Sequence, residues 1–560
     1  MMNQVFTAEQ LNALPKETLV LMMLQMSDSL QLLQEQNGEL LKQMADMREQ
    51  IAILNNRLFG KKSEKNTQIS GQLSWNLDGP SLAINEAEVL VEDGFPDEPG
   101  IEEVVEQTRK RTPRPKGKRA EDLKDIPTTR EDHYLSEEEL NKKFPDGWKQ
   151  LDDEVYTELK RIPESYEAVE HHIGVYAGKG KGDTVIRGKA PKRLLSHSIL
   201  TPSLAASVFT AKYINAVPLN RLSEWYSYSG VKISRQVMAG WIIRLYEYYL
   251  EPVHGRMKEE LFISHVINCD ETPFKMTGEK DEGDPESKDY MWVYHSNGRS
   301  RGHPVFLYEY DNGSRASSVP DAYLKGYQGV LVTDGYQSYH TLAKKRPDDL
   351  KVGGCWIHCK RKFHEIVETI GKNKNPTPGQ KIAREAERRI SAIFHTENMY
   401  KDASNEEKLD NRQQSVKPLV NAYFEWVKKT VARKDLDKSS ALSRALNYSI
   451  NQEPYLRVFL DDPEVPMHNN DAEQSIKKFC VGKHSWHIID SKRGAKASAM
   501  MYSLAETAKA NGLNPYKYFE YLMEQLVEYP RNDVPRDVLE GLMPWSEKLP
   551  EYCRQTANKQ

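Results

Sequence analysis

The chain has 560 residues, of which 38% are hydrophobic and 29% charged, and this is enough to bury the cores of several domains. No apolar run approaches the roughly 18 residues that a membrane span needs, and the first residues lack the basic-then-apolar pattern of a secretory leader, so we expect a cytoplasmic protein with no membrane partner. The formal net charge of -4 does not exclude nucleic-acid binding, because a total hides how charge is distributed along the chain.

Residues 19–58 carry apolar side chains at alternating steps of three and four, which is the heptad pattern of a coiled coil. With Leu30 at an a position, the polar seam residue Asn37 also falls at a, where a buried asparagine selects register and strand number. The pattern predicts a parallel homodimer through residues 1–65. A single long helix packed on its own domain is the alternative.

Charge changes sign within residues 66–130. Acidic residues dominate between Glu86 and Glu106, and the basic run RKRTPRPKGKR follows at residues 109–119. Adjacent blocks of opposite charge without aromatic residues predict a charged, flexible linker. The alternative is a basic arm on DNA phosphates for which the acidic block competes.

Helical patterns begin at Thr201. Residues 219–250 predict a helix, a turn at Gly230 and a second helix capped by Ser234. This is helix-turn-helix spacing, and it would present Arg235 and Gln236 to a DNA groove. Helix pairs of this kind also occur in plain helical domains, so residues 201–258 are either a DNA-binding region or a structural one.

Short strands are predicted from Leu261 onward, with a helix-compatible stretch at about 314–325 before the fourth. The four segments are HVINCDETPFKM, YMWVYHSN, HPVFLYEY and GVLVTDGYQSY. Asp270 and Asp334 end the first and the fourth strand. Strand ends line the ligand crevice of open α/β sheets, so these carboxylates can converge on one hard cation, although an aspartate there is also an ordinary turn residue.

A third acid follows a charged helical stretch at about 374–460, in the segment HNNDAEQSIK. With Asn470 as the N-cap, Asp471 is the first and Glu473 the third helical residue. Glu473 then either reaches back to the cap or completes a two-metal site with the two aspartates. Asp471 is expected only to favour the helix dipole.

Taken in chain order, these segments and several others resemble the insertion sequence 66 family of transposases over almost the whole chain. The matching segments are the coil ending in LFGKKSEK, AKYINAVPLNRLSEWYSYSGVKISRQVMAGWI, CDETPF, LVTDGYQSY, GCWIHCKRKF, NNDAEQSIKKF, GKHSWHIIDSKRGAKASAMMYSLAETAKANG and the GLMPW tail. The resemblance implies a transposase that binds insertion-element ends and target DNA at the bacterial nucleoid. Accessory proteins of the same element are further partners that it suggests.

The implied fold class is multidomain α plus α/β. A ribonuclease H-like core would span residues 259–512, with a helical insertion at about 374–460 and a C-terminal helical tail at 513–560. The resemblance assigns a DDE triad to Asp270, Asp334 and Glu473. These acids would hold two Mg²⁺ ions, with Mn²⁺ as a substitute, for strand cleavage and 3′-OH strand transfer.

Basic residues that flank the acids are candidates for DNA phosphates, and a solvated basic face is the alternative for each. They are Lys360, Arg361, Lys362, Lys477, Lys478, Lys483, Lys492, Arg493 and Lys496. Trp486 either stacks on a base or belongs to the core.

The chain departs from the family at its cysteines. The family carries a zinc-binding cluster before the helix-turn-helix region, but no cysteine precedes Cys269, so residues 131–200 are predicted to be a degenerate, zinc-free version. Cys355, His358 and Cys359 lie in a segment that matches a family strand motif, and we expect core and DNA-proximal roles rather than zinc. Five scattered cysteines predict no disulfides.

Near the third acid, Gln474 and Lys477 stand where the family usually has arginine, which affects how phosphates are held. Two readings compete with an active transposase. One is a DNA-binding protein of transposase descent whose catalysis has lapsed, and the other is a divalent-metal nuclease without strand transfer.

Overall fold

The computed structural model describes residues 165–177, 185–187, 189–276, 289–298, 301–369 and 375–555, together with residue 138 and scattered positions between 16 and 44. The chain divides into two compact units, residues 1–74 with 166–560 and residues 75–165. Of the second unit, residues 138 and 165 are described. The strands and helices named below belong to the first.

Within the predicted coiled coil, residues 26–34 are described and are helical. The seam residues Met26, Leu30 and Leu33 are exposed in the single chain. An exposed apolar seam is compatible with a second strand, and the parallel dimer stays a prediction. The linker predicted at residues 66–130 lies outside the described residues.

The segment predicted to be a degenerate zinc finger is described in part. It contains two short antiparallel strands, β1 (Val175–Ala177) and β2 (Val185–Arg187).

Within residues 189–265, four α-helices precede the main sheet. They are α1 (Pro202–Phe209), α2 (Leu219–Tyr228), α3 (Arg235–Leu245) and α4 (Glu251–Ile263), with π-helical turns at Thr210–Ile214 and Tyr246–Leu250. The predicted turn and cap between α2 and α3 are confirmed, since Gly230 has a φ of 80° and the Ser234 side chain accepts the Val237 N–H.

A mixed sheet forms the centre of the unit. Five of its six strands are β3 (Val266–Met276), β4 (Asp289–Asn297), β5 (Pro304–Glu309), β6 (Gly329–Thr333) and β7 (Leu350–Gly354), and the sixth is the short strand Ile488–Ile489, which pairs with the end of β3. Their spatial order is β5-β4-β3-β6-β7, antiparallel from β5 to β3 and parallel from β3 to β7. The predicted order of three strands, a helix and a strand is confirmed, with α5 (Ser318–Tyr323) as the helix.

Strand β7 was not predicted. Helix α6 (Gln337–Lys345) leads into it, and its sequence LKVGG carries two glycines and a lysine, which obscure the β pattern. Side chains on the parallel strands alternate between two cores: Leu331 packs in one, and Val330 and Val332 pack in the other.

The segment CWIHCKRKF, interpreted above as a strand motif, is helical instead. It opens α7 (Trp356–Val367). Trp356, Lys360 and Phe363 are buried at steps of three and four, which is the period of a helix face and not of a strand.

The predicted charged helical stretch follows α7. It contains α8 (Pro378–Asn398), α9 (Asn405–Asn411), α10 (Lys417–Val431) and α11 (Ala441–Leu456), with a π-helical turn at Arg412–Val416 and a 3₁₀ turn at Val458–Leu460. Its core holds one buried ion pair, in which Arg412 binds Glu397 at 2.6 Å and donates to the carbonyls of Phe459, Asp462 and Val465. This arginine fixes the chain that leads back to the sheet.

The C-terminal elements are α12 (Asn470–Trp486), β8 (Ile488–Ile489), α13 (Lys492–Ala510), α14 (Pro515–Leu526) and α15 (Arg536–Leu542), and a 3₁₀ turn at Glu551–Cys553 follows. Helix α13 covers the edge of β5, where Phe306 and Tyr308 donate their N–H groups to the hydroxyls of Thr507 and Ser503. Gly512 follows the end of α13 with a positive φ, 69°, the conformation in which glycine commonly ends a helix.

Among the helices that the structure describes, none combines the length and the apolar composition needed to cross a bilayer.

Candidate active site

Strand register places Asp270 and Asp334 level with each other. Strands β3 and β6 are parallel and pair Asn268 with Val332, so each aspartate lies two residues beyond this pair. The prediction that Asp270 ends its strand is wrong, because β3 continues to Met276. The pairing of β3 with β6 ends at Asn268, whereas its pairing with β4 continues and places Asp270 opposite Val293.

Asp334 follows the last residue of β6 and begins a tight turn. Its Oδ1 accepts the Tyr336 N–H at 2.9 Å, and its carbonyl accepts the hydroxyl of Tyr448 from α11 at 3.1 Å. The next residue, Gly335, has a φ of 91° and fits closely beneath the Tyr448 hydroxyl. The helical insertion therefore holds the turn that carries this acid.

Glu473 lies in the first turn and a half of α12, but it does not cap the helix. The N-cap is Asn469, so the prediction of Asn470 as the cap is wrong, and the Glu473 N–H donates to the Asn469 carbonyl at 3.1 Å. A capping box requires the glutamate at the third helical position, and Glu473 is at the fourth. Asp471 is in the first turn, where its charge favours the helix dipole.

The side chain of Asn469 ties the start of α12 to β3 instead of capping the helix. Its Nδ2 donates to the Cys269 carbonyl at 2.7 Å, and its Oδ1 accepts Nδ2 of Asn268 at 2.9 Å. Because Cys269 immediately precedes Asp270, this link brings the helix that carries Glu473 to the strand that carries Asp270.

The three acids interact electrostatically. The pKa of the Asp270 carboxyl is raised well above its ordinary value of 3.8, first by burial and then by the charges of Glu271, Asp334 and Glu473. Its Oδ1 accepts the backbone N–H of Glu271 at 2.9 Å. Repulsion of this kind is what a bound cation relieves.

A fourth acid, Glu271, is occupied by protein groups. Arg315 donates twice to its Oε1, at 2.6 and 3.0 Å, and the Tyr339 hydroxyl donates to its Oε2 at 3.0 Å. Burial and Asp334 raise its pKa, and Arg315 and Tyr339 oppose this rise. Its two oxygens are thus less available to a cation than those of Asp270.

Two residues of α7 lie beside Glu473. His358 Nδ1 is 3.6 Å from Glu473 Oε1, and Arg361 Nη2 is 3.5 Å from Oε2. Arg361 also donates to His358 Nε2 at 3.2 Å, so this ring nitrogen is an acceptor, and in the neutral ring the proton is on Nδ1. Burial lowers the pKa of His358, although Glu473 opposes this effect.

Cys355 completes the surroundings of Glu473. Its Sγ accepts the Asn469 N–H at 3.3 Å, and burial together with Glu473 raises its pKa to about 12. One ligand atom each from Cys355, His358 and Glu473 lies within 4.8 Å of the others. Cys359 is in the insertion core beside Tyr423 and Ser449, as expected. Sequence reasoning missed the contact of His358 and Arg361 with Glu473; their spacing of three residues on a helix would have indicated a shared face.

Not all the predicted phosphate-binding residues present a free cation. Lys360 is 1% exposed, and burial lowers its pKa to about 8, so the prediction that it contacts DNA is wrong for this structure; α7 turns it toward the core. Lys483 donates to the Pro273 carbonyl at 2.7 Å, and Arg493 forms two hydrogen bonds with Glu247, at 2.6 and 2.7 Å.

The other basic candidates are at least partly exposed. They are Arg361, Lys362, Lys477, Lys478, Lys492 and Lys496, and Arg235 and Gln236 are exposed at the start of α3. The ring of Trp486 packs edge-on against Phe479 with centroids 5.6 Å apart, which favours the core interpretation.

Comparison with known families gives three matches. A model described as "Transposase IS66 family" matches residues 197–497, one described as "IS66 C-terminal element" matches 503–545, and one described as "Transposase C of IS166 homeodomain" matches 46–130.

Relatives and solved structures give further similarities. Two proteins of Sinorhizobium fredii, uncharacterized proteins y4qI and y4hP, are each 26% identical to this chain, over 398 and 408 residues, and cover 70% and 71% of both chains. The Drosophila P element transposase strand transfer complex is similar to 55% of this chain and 92% of its own, with 12% identity and a TM-score of 0.34.

The first family model covers more than half of the 560 residues and includes all three acids of the site. The chain belongs to the IS66 family of transposases.

Proposed function

We propose that the protein is a DDE-type DNA transposase that binds the ends of its insertion element, cleaves a strand there and joins the 3′-OH to target DNA. The observation that carries the proposal is the convergence of Asp270, Asp334 and Glu473 from three separate elements. Burial raises the pKa of Asp270, and the charges of Asp334 and Glu473 add to this rise. Membership of a transposase family supports the same class of reaction.

A ribonuclease H-like core is part of this proposal. It is supported by a sheet in which three antiparallel strands precede two parallel ones, with acids on the first and fourth strands. The helical insertion separates the fourth strand from the helix of the third acid.

The acids fit a pair of divalent cations such as Mg²⁺ or Mn²⁺. Such ions take carboxylate oxygens, and Asp270 and Asp334 each use only one oxygen in the side-chain hydrogen bonds described above. Glu473 Oε1 is buried and has no hydrogen-bond partner among the described residues. When bound, the cations would activate the attacking oxygen and stabilise the leaving one.

The surrounding residues would position the acids. Asn469 holds α12 against β3, and the turn at Asp334 is held by Tyr448. His358 and Arg361 lie on one side of Glu473, which limits the directions in which its carboxylate can turn. Rigid placement of this kind lets a carboxylate meet a cation with little reorganisation.

DNA would approach over basic residues that flank the acids in sequence and are at least partly exposed, chiefly Arg361, Lys362, Lys477 and Lys492. Each supplies a sequence-independent phosphate contact. Arg235 and Gln236 at the start of α3 are the proposed groove-reading residues, and the N-terminal heptads are the proposed dimer contact. Accessory proteins of the same element remain proposed partners.

Strand transfer by the purified protein tests the proposal. The protein is incubated with a duplex that contains an element end, a target plasmid and Mg²⁺. A joined product supports the transposase, cleavage alone supports a nuclease, and binding alone supports a protein whose catalysis has lapsed.

A matched pair of variants on α12 tests the third acid. We expect Glu473→Gln to lower cleavage and joining at least about 100-fold, because one carboxylate ligand is lost. Asp471→Asn, two residues away on the same helix, should keep most of the activity. Full cleavage by Glu473→Gln would refute the assignment of Glu473.

A further inference from the structure

Cys355, His358 and Glu473 form a cluster that the DDE chemistry does not explain. Their ligand atoms, one thiol sulfur, one imidazole nitrogen and one carboxylate oxygen, lie within 4.8 Å of one another. They come from two helices that are held together, since Asn469 at the start of α12 donates its N–H to Cys355 Sγ at the start of α7. Three donors on fixed backbones form a preorganised site.

Hydrogen bonding leaves two of these donors available. His358 Nδ1 and Glu473 Oε1 face each other at 3.6 Å, beyond hydrogen-bond length, and both are buried without a hydrogen-bond partner within the described part of the chain. A buried polar atom without a partner is costly, and a ligand that engages both atoms would remove that cost.

The donor set selects the kind of ligand. Magnesium prefers oxygen ligands, whereas sulfur and imidazole nitrogen favour Zn²⁺ and ions that behave like it, such as Co²⁺. A thiolate, a carboxylate and a neutral imidazole around a divalent ion give a complex without net charge, which suits a buried site. The Cys355 thiol would release its proton to solvent on binding, and no redox step is involved. Arg361 is 42% exposed and can turn away from His358 Nε2. The ring proton of His358 then moves from Nδ1 to Nε2, which leaves the Nδ1 lone pair for the ion.

We propose that Cys355, His358 and Glu473 bind one thiophilic divalent cation of the zinc type. Because Glu473 is shared, its occupancy there withdraws the third acid from the magnesium site. Zinc would therefore inhibit the magnesium-dependent reaction. This consequence rests on the proposed function, whereas the binding itself does not.

Cobalt(II) absorption tests the binding on the full-length protein in thiol-free buffer without DNA. We expect a sulfur-to-cobalt charge-transfer band that saturates at one ion per chain. The band should be lost in Cys355→Ser and kept in Cys480→Ser, a control two turns beyond Glu473 on α12. No band in the wild-type protein, or a band that survives in Cys355→Ser, would overturn the proposal.

Two further measurements guard against a variant that fails to fold. His358→Ala should weaken cobalt binding at least about tenfold, and unchanged affinity would count against the site. X-ray absorption of the zinc-loaded wild-type protein should show one sulfur neighbour at about 2.3 Å, and its absence would also overturn the proposal.

Inhibition is measured separately, as the ratio of activity with and without zinc at fixed Mg²⁺ for each protein. The ratio should fall in the wild-type protein and in Cys480→Ser, and should change much less in Cys355→Ser. A cobalt band in a protein that joins no DNA would leave the metal site standing and refute only the transposase. Strand transfer without a cobalt band would support the transposase and refute only the metal site.

Discussion

Asn268 on β3 and Asn469 at the start of α12 are joined by a buried hydrogen bond between their side-chain amides, 2.9 Å long. Both side chains are almost completely buried, and Asn469 also donates to the carbonyl of Cys269. Burying two side-chain amides costs free energy unless their polar atoms are hydrogen-bonded, and here the amides bond to each other and to a backbone carbonyl. The pair sets the distance between the strand of Asp270 and the helix of Glu473.

Replacing Asn469 by alanine should destabilise the fold and impair the site together. The Asn268 amide and the Cys269 carbonyl would lose their partners, at a cost of about 1–3 kcal/mol for each group left unsatisfied. Denaturant unfolding measures the change. Asn447→Ala, an exposed asparagine with one long hydrogen bond, should change stability by less than about 0.5 kcal/mol. Equal effects of the two variants would contradict a special role for Asn469.

Local sequence patterns were sufficient for part of this site. Apolar runs before Asp270 and Asp334 predict two strands of one sheet whose acids can converge, and the parallel register seen in the structure brings these acids level. The choice of Glu473 over Asp471 did not follow from local physics, because both acids are in the first turns of one helix. The family resemblance made that choice.

Other features depend on tertiary contacts that no local pattern contains. The cap at Asn469 and not at Asn470 reflects bonds to a strand about 200 residues away. Charge alone predicts Lys360 to be a phosphate ligand, whereas the helical period of α7 turns its side chain inward. Arg412 in the insertion likewise has partners 15 to 53 residues away, which sequence proximity does not reveal.

The metal-free protein should lose stability as pH rises above the ordinary range of an aspartate. The folded-state pKa of Asp270 is raised above 3.8, so within that window the folded chain holds a proton that the unfolded chain has released. The contribution of Asp270 to stability is therefore fully present below the unfolded pKa and is lost as pH rises through the folded one. In Asp270→Asn this contribution is absent, so the decline should be shallower, and the variant should be at least as stable as the wild type at neutral pH.

Thermal unfolding in EDTA at several pH values measures both slopes. The pKa of Glu271 is also raised, so the stability of Asp270→Asn should still decline with pH. The test is therefore whether the variant declines less steeply than the wild type. Identical slopes would show that Asp270 carries no unfavourable charge in the folded state.

Magnesium should raise the unfolding temperature of the wild-type protein without DNA. A cation that binds the folded state alone stabilises it by about 2.7 kcal/mol at 100 times its dissociation constant. Asp334→Asn should lose most of this rise, because a carboxylate ligand is replaced by an amide. Asp471→Asn keeps the three site acids and should respond like the wild type. A rise of the same size in all three proteins would mean that the ion binds elsewhere.

Gly335 should tolerate no side chain, because both its backbone and its neighbours exclude one. Its φ of 91° disfavours an L-residue by about 1–2 kcal/mol, and a Cβ would lie 2.8 Å from the Tyr448 hydroxyl. The clash adds roughly 1–3 kcal/mol and would move the turn that carries Asp334. We therefore expect Gly335→Ala to lower both stability and DNA cleavage.

Gly326→Ala is the matched control for this prediction. Gly326 has nearly the same φ, 89°, but a Cβ added there would meet no atom within 4 Å, so only the backbone cost applies. The stability of Gly326→Ala should therefore fall less than that of Gly335→Ala, and its cleavage activity should persist. The double variant Gly335→Ala with Tyr448→Phe removes the clashing hydroxyl and should recover part of the lost stability. If Gly335→Ala and Gly326→Ala behave alike in unfolding and in cleavage, contact with the insertion does not position Asp334.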